Sequence, residues 1–236
     1  MNGHELAEKY NSRYTGRSIF QKIESLTGDH PGKVLFTTSF GYEDQVITDI
    51  IFTNNLPVKV VTLDTGRMFE ETYKVFRSTH ERYGKPIQVF FPQADKVENL
   101  LNEKGPFSFY DSVENRKECC FIRKVLPLQR ALKGNKIWIT GLRASQSTYR
   151  SDLEEFEWDE ANQIIKYNPL LNWSLEAVKD YVRKHHVPYN VLHDRGYVSI
   201  GCEPCTRAIR PGEDFRDGRW WWEKNSGKEC GLHETE

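Results

Sequence analysis

Four short apolar, β-branched runs punctuate the first 140 residues: KVLFTTS (33–39), VKVVTLD (58–64), IQVFF (87–91) and KIWIT (136–140), each bounded by turn-forming residues. Near-continuous apolar runs of this length predict parallel strands covered on both faces. Between them apolar residues recur at helical spacing: Val46, Ile50 and Ile51; Tyr73 and Phe76; Ile122, Val125, Leu126 and Leu132. A further helix is predicted from about Ser174, a suitable N-cap, with Val178, Tyr181 and Val182 on its buried face. This alternation predicts an α/β fold, an open and mostly parallel sheet with helices on both faces. Beyond Cys205 the period dissolves into a Gly-rich, charged stretch. The expectation is one domain over 1–206 and a C-terminal tail over 207–236 that is mobile, or ordered only when it docks.

Charge narrows the partners. Lys and Arg number 33 against 34 Asp and Glu, a net charge of -1, so nothing in the overall balance points to nucleic acid or an anionic membrane. The N-terminal stretch MNGHELAEKYNSRYTG lacks an apolar leader, and no run approaches the roughly 18 apolar residues of a membrane span. A cytoplasmic protein is expected. Five cysteines in a reducing compartment, one necessarily left over from any pairing, point to metal binding or thiol chemistry rather than to disulfides.

Ligands of open α/β sheets bind at the carboxyl ends of the strands. The first strand runs into TSFGYEDQ (38–45), where Ser39 offers a hydroxyl, Gly41 an approachable backbone and the following helix its free N–H groups. The second ends in LDTGR (63–67). There Asp64 suits a ribose hydroxyl or a turn cap, Thr65 and Gly66 permit close backbone approach, and Arg67 presents a cationic fork. A later strand leads to ITGLRASQSTYR (139–150) with Arg143 and Arg150. Each corner alone is a common turn; three together favour a cleft for an anionic nucleotide.

Four cysteines cluster as KECCFIRK (117–124) and GCEPCTR (201–207), supplying Cys119, Cys120, Cys202 and Cys205. Four thiolates are an ordinary zinc set. Adjacent cysteines are an awkward chelate for one tetrahedral ion, however, and Cys119 is expected to begin or enter a helix that separates its side chain from that of Cys120. A [4Fe–4S] cluster, whose irons are separate ligand points, is therefore favoured over zinc. Lys124, one helical turn after Cys120, shares its face and would place a cation beside a bound anion. The fifth thiol, Cys230, stands in GKECGLHETE, with Lys228 before it and His233 after it. Thiolates are stabilised by nearby cations. Arg216 and Arg219 stand within FRDGRWWWE, whose three tryptophans would dock this segment over a cleft.

The segments SFGYED, LDTGR, ECCFIRKVLPLQRAL, NPLLNWS, PYNVLHDRGYVSIGCEPCTR, GRWWWE and KECGLH together resemble the assimilatory adenylyl-sulfate (APS) reductases, relatives of the 3'-phosphoadenylyl-sulfate (PAPS) reductases, over roughly residues 33–233. The resemblance implies an adenine-nucleotide α-hydrolase-like fold and thioredoxin-dependent (or glutaredoxin-like) reduction of APS to sulfite and AMP. It implies Cys230 as nucleophile and Cys119, Cys120, Cys202 and Cys205 as ligands of one [4Fe–4S] cluster. Substrate contacts would come from Ser39, Phe40, Gly41, Glu43 and Asp44, a modified pyrophosphatase loop, and from Leu63, Asp64, Thr65, Gly66 and Arg67. Gly141, Arg143, Lys124, Arg216, Arg219 and His233 complete them. One departure is Ala144, which follows Arg143 where many relatives carry a second basic residue. The rival readings are a PAPS or dual-substrate reductase, an adenylating enzyme of the ATP-pyrophosphatase type and a zinc-stapled binding module. A homo-oligomer stays open.

Overall fold

The first two helices announce themselves through capping boxes rather than apolar runs. At the start of α1 (Gly3–Tyr14) the Asn2 side chain accepts from Glu5 N while the Glu5 carboxylate accepts from Asn2 N; Ser18 and Gln21 repeat the exchange at α2 (Ile19–Asp29). The computed structural model describes residues 2–146 and 153–223. The chain continues through β1 (Val34–Thr38), α3 (Tyr42–Thr53), β2 (Lys59–Leu63), α4 (Glu70–Tyr83), β3 (Gln88–Phe90), α5 (Ala94–Lys104), α6 (Val113–Cys120), α7 (Leu126–Leu132), β4 (Ile137–Ile139), β5 (Phe156–Asp159), β6 (Ile164–Tyr167) and α8 (Leu175–Lys184).

Six strands form one mostly parallel sheet in the order β3-β2-β1-β4-β6-β5. Phe36 of β1 pairs with Val60 of β2 on one side and with Ile139 of β4 on the other, both in parallel register; β5 alone is shown antiparallel, opposite β6. All four predicted strands are present, each trimmed by one residue at both ends. The β5–β6 hairpin was not predicted, because FEWD is acidic and IIKY carries a lysine. That lysine is buried: Lys166 is 3% exposed, lies near Glu157 and Asp159, and its ammonium sits 5.8 Å from the Trp138 ring centre. An unpaired charge there would be costly, so the hairpin's acids neutralise it.

The chain divides into two compact units. The first comprises the residues up to Thr62 together with Glu71–Gln88 and Leu132–Asn190; the second comprises Leu63–Glu70, Val89–Ala131 and the chain from Val191 onward. The core of the first unit joins Val34, Phe36, Val46, Ile51, Ile139 and Tyr167, with Phe156 stacked on Tyr167 at 4.4 Å. Helix α8 begins on the predicted cap, Ser174 accepting from Ala177 N, and buries Val178 and Val182. Tyr181 is only half-buried; its hydroxyl donates to Asp49. On α4 the predicted face is kept in part: Phe76 packs against the core, whereas Tyr73 is exposed and Thr72, Val75 and Thr79 are buried.

Two findings in the second unit correct the sequence reading. Cys119 and Cys120 do not begin a helix; they end α6, and the helix widens over Phe121–Val125 before α7. The Leu126 N–H reaches back five residues to Phe121 O, a π-type turn. Pro127 accounts for it: the ring has no N–H to offer Arg123 O and would collide with that carbonyl in a regular turn. The second correction concerns the expected tail from 207. Residues 207–223 are folded into this unit: Arg207 N bonds to Gly218 O, Thr206 and Arg219 bridge, and Trp220 is fully buried. The periodicity misses this because the segment is held by irregular turns and arginine–aromatic contacts.

Candidate functional site

In the first unit, β1 hands over to α3 through Ser39, Phe40 and Gly41. Phe40 adopts a left-handed φ of 61°, a conformation costing of order 1–3 kcal/mol for a bulky residue. Its N–H donates to Thr38 Oγ1, and its fully buried ring stacks 5.0 Å from Phe76, which offsets the strain. The bent loop brings Ser39 back over the first turn of α3, where the Ser39 N–H and hydroxyl donate to Asp44 Oδ2 at 2.6 and 2.7 Å. Burial pushes the Asp44 carboxyl up to about 6, the two Ser39 hydrogen bonds pull it back, and Glu43 adds repulsion. Gly141 passes so close that an added Cβ would meet Asp44 Oδ1 at 2.1 Å.

Arg143 was expected to face a ligand anion. It is 2% exposed, and its guanidinium donates to Glu43 Oε1 at 2.6 Å and to Ser145 Oγ at 2.6 Å. Gln146 joins it on Glu43 Oε1 at 3.1 Å. Arg143 thus braces the loop through Glu43. Arg150 lies outside the described residues.

In the second unit, LDTGR forms the tight turn its composition suggested. Asp64 Oδ1 accepts from Gly66 N at 2.8 Å, so this carboxylate caps the turn, and Gly66 supplies a φ of 71°. Leu63 ends β2. The segment is tied to the second cysteine pair: Glu203 N donates to Arg67 O, Met68 bridges Cys202, and the Thr65 hydroxyl lies 3.2 Å from Cys202 Sγ. Cys202 and Cys205 bracket one 3₁₀ turn, with Cys205 N bonded to Cys202 O.

All four clustered cysteines line one pocket together with Arg67, Arg116, Arg123, Lys124 and Phe109, with no carboxylate among the lining residues. Cys205 packs with Phe109 and the buried Trp220, and Cys119, Cys120, Cys202 and Trp222 pack against that cluster. Burial raises the Cys205 thiol to about 12, with repulsion from Cys202 added and Arg219 opposing. Burial also raises Cys119, against the pull of Arg123. Such thiols stay protonated unless a strong cationic centre takes them as thiolates. Among the described residues, two buried donors on side chains that line the pocket, Arg67 Nη1 and Arg123 Nε, have no hydrogen-bond partner, and neither do Trp220 Nε1 and Trp222 Nε1 of the aromatic cluster packed with the cysteines. Buried donors left unmatched cost about 1–3 kcal/mol each, so their concentration here fits an anionic occupant. Among the described residues no group of three His, Cys, Asp or Glu is arranged to hold a single metal ion.

The predicted cations Arg216 and Arg219 belong to this unit. Arg219 is 4% exposed with its guanidinium 4.6 Å from the Trp220 ring centre, and it occupies the space where a side chain on Gly201 would stand. Arg216 lies 5.6 Å from the same ring. Two residues were missed. Arg123 donates from Nη1 to Thr65 O at 2.7 Å, joining the helix to LDTGR. Arg116, one turn before the cysteine pair, makes a two-pronged contact with Glu223 at 2.8 and 3.0 Å, both side chains almost fully buried, and lies 4.6 Å from the Trp220 ring centre. The available signal was position: Arg116 and Arg123 flank the cysteine pair within one turn on either side. Cys230 and His233 lie outside the described residues.

Comparison with known proteins accords with this geometry. Residues 33–208 match the phosphoadenosine phosphosulfate reductase domain. Proteins named adenosine 5'-phosphosulfate reductase are similar over most of the chain. The one from Agrobacterium fabrum is 50% identical over 86% of this chain and 78% of its own length; that from Burkholderia cepacia is 51% identical over 88% and 83%. A crystal structure of phosphoadenylyl-sulfate reductase from Candida auris, a phosphate complex, superposes with a TM-score of 0.72 at 31% identity, covering 87% of this chain and 97% of that one. With a matching sheet, a braced strand-end loop and a domain match over most of its length, the chain belongs to the phosphoadenosine phosphosulfate reductase family.

Proposed function

We propose that this enzyme reduces APS to sulfite and AMP, with Cys230 as nucleophile and a thioredoxin-class dithiol protein as reductant. The observation that carries the reading is the second unit's pocket, four cysteines enclosed by arginines, Lys124 and aromatic rings without a carboxylate. The donor set and the four unmatched donors suit a [4Fe–4S] cluster held by Cys119, Cys120, Cys202 and Cys205. When bound, the cluster supplies a fixed anionic charge centre. Lys124, Arg67 and Arg123 line the same pocket, and their positive field would favour an anionic substrate and a thiolate. The Ser39–Asp44 loop, braced by Arg143 through Glu43, offers backbone and hydroxyl contacts to the nucleotide.

In the first step the Cys230 thiolate attacks the sulfonate sulfur of APS. The sulfur–oxygen bond to phosphate breaks, AMP departs with the electron pair, and Cys230 carries an S-sulfonate. In the second step a partner thiolate attacks Cys230 Sγ and displaces sulfite. The resulting mixed disulfide is resolved by the partner's other thiol, which restores Cys230; the partner dithiol is the two-electron donor. Five cysteines, four of them in one pocket, accord with a reducing, cytoplasmic setting. No helix among the described residues is long and apolar enough to cross a membrane. Incubation with APS and no reductant, followed by mass spectrometry, is expected to show one sulfonate on Cys230 and one AMP released; an adduct elsewhere, or none, sinks the scheme. The second reading, PAPS as substrate, draws on the Candida auris likeness, and single-turnover rates on the two nucleotides decide between them.

A further inference from the structure

Seven large apolar side chains of the described residues stand notably exposed, and three of them touch one another in the second unit. Phe107 is 60% exposed, Trp221 39% and Tyr110 38%; the Tyr110 ring centre lies 6.3 Å from that of Phe107 and 6.4 Å from that of Trp221. The patch is rigid. Tyr110 donates its hydroxyl to Pro204 O at 2.7 Å and packs edge-on against Trp222 at 4.4 Å. Trp221 is fixed on both sides, by the buried Trp220 and by the Glu223–Arg116 contact two residues on. Exposed aromatic groups ordered in advance are the residue types that dominate protein–protein binding energy, and their ordering entropy is already spent.

The identity of the occupant follows from the length of chain beyond the patch. Thirteen residues follow Glu223, and Cys230 is the seventh. Seven residues fully extended span at most about 25 Å. Any protein whose thiolate attacks Cys230 Sγ must therefore rest its reactive face within about 25 Å of Glu223, two residues from Trp221. A domain of about 100 residues has a radius of gyration near 13 Å, so its footprint at that distance reaches the patch. We propose that Phe107, Tyr110 and Trp221 form the docking surface for the dithiol protein that removes sulfite from Cys230. This inference rests on the reading of Cys230 as nucleophile.

The test separates docking from chemistry by changing the reductant. The S-sulfonate is formed on wild type and on Phe107→Glu, Trp221→Ala and the double variant, each checked for unchanged iron and sulfide content. Sulfite release is then timed with a purified thioredoxin and, separately, with dithiothreitol. The expected result is a thioredoxin kcat/KM lowered about tenfold by each single change and more by the pair, with dithiothreitol rates and adduct formation within twofold of wild type. Unchanged thioredoxin rates overturn the proposal. So does a parallel fall with dithiothreitol, which means altered access to Cys230, or a change in oligomeric state by light scattering, which assigns the patch to a second copy of this chain. Absence of a Cys230 adduct in wild type overturns the parent reading and this inference with it, whereas a normal adduct with normal thioredoxin rates in the variants removes the docking surface alone.

Discussion

The strand-end loop of the first unit and the cysteine pocket of the second are both rich in buried charge, but they balance it in opposite ways. Around the loop, every charge named has a protein counterpart: Asp44 takes two hydrogen bonds from Ser39, and Glu43 takes Arg143 and Gln146. Around the pocket, by contrast, four buried donors have no hydrogen-bond partner among the described residues: Arg67 Nη1, Arg123 Nε, Trp220 Nε1 and Trp222 Nε1. A self-satisfied network rigidifies a scaffold; a surplus of one sign in a buried pocket selects an occupant of the other. The contrast assigns the loop to shape and the pocket to charge.

The strongest way to break this contrast is to remove a ligand. Cys205→Ser is expected to strip iron and sulfide from the protein and to lower sulfite formation by more than the roughly 100-fold that loss of an outer-shell partner causes, measured by iron analysis and single-turnover assay. Retention of both iron and activity would refute the role of the pocket. A smaller effect comes from the buried Arg116–Glu223 pair of the second unit. Arg116→Met leaves Glu223 buried without its guanidinium and is expected to cost about 3–5 kcal/mol in urea unfolding, while adding Glu223→Leu recovers much of the loss. Failure of the double change to recover stability means that Arg116 acts mainly through Trp220 and the pocket.

The smallest expected effect sharpens the loop's side of the comparison. The folded Asp44 carboxyl, raised from 3.8 to about 6, holds its proton more tightly than the unfolded chain does. Its stabilising contribution is full below about pH 4 and is lost as pH rises through 6, a change on the order of 3 kcal/mol. Asp44→Asn cannot titrate. The stability of wild type minus that of the variant is therefore expected to fall between about pH 4 and 6 and to be level above it; a flat difference throughout would show the carboxyl to be ionised across the range.

Much of the first unit was legible because its strands are short apolar runs and its last helix has both a cap and an apolar stripe. Helices α1 and α2 were missed although N-x-x-E and S-x-x-Q stood at their starts, since attention to apolar period overlooks capping chemistry. The company of the four cysteines and Lys124 was legible from their spacing, and one pocket holds them all. Arg123 and Arg116 were not, because an arginine in a polar stretch is ordinarily solvated and only packing shows that these two are buried.

By itself the sequence determined the parallel strands, the corners at their ends and the company of four cysteines, all of which follow from local pattern and residue type. Only the tertiary structure decided that Arg143 braces a glutamate, that the cysteine pair closes a helix widened ahead of Pro127, and that residues 207–223 are folded rather than loose. The physical reason is the same in each case. Periodicity records which face of an element is apolar, whereas the partner of a buried charge or an indole is fixed by contacts between residues a hundred or more positions apart, as with Arg116 and Glu223.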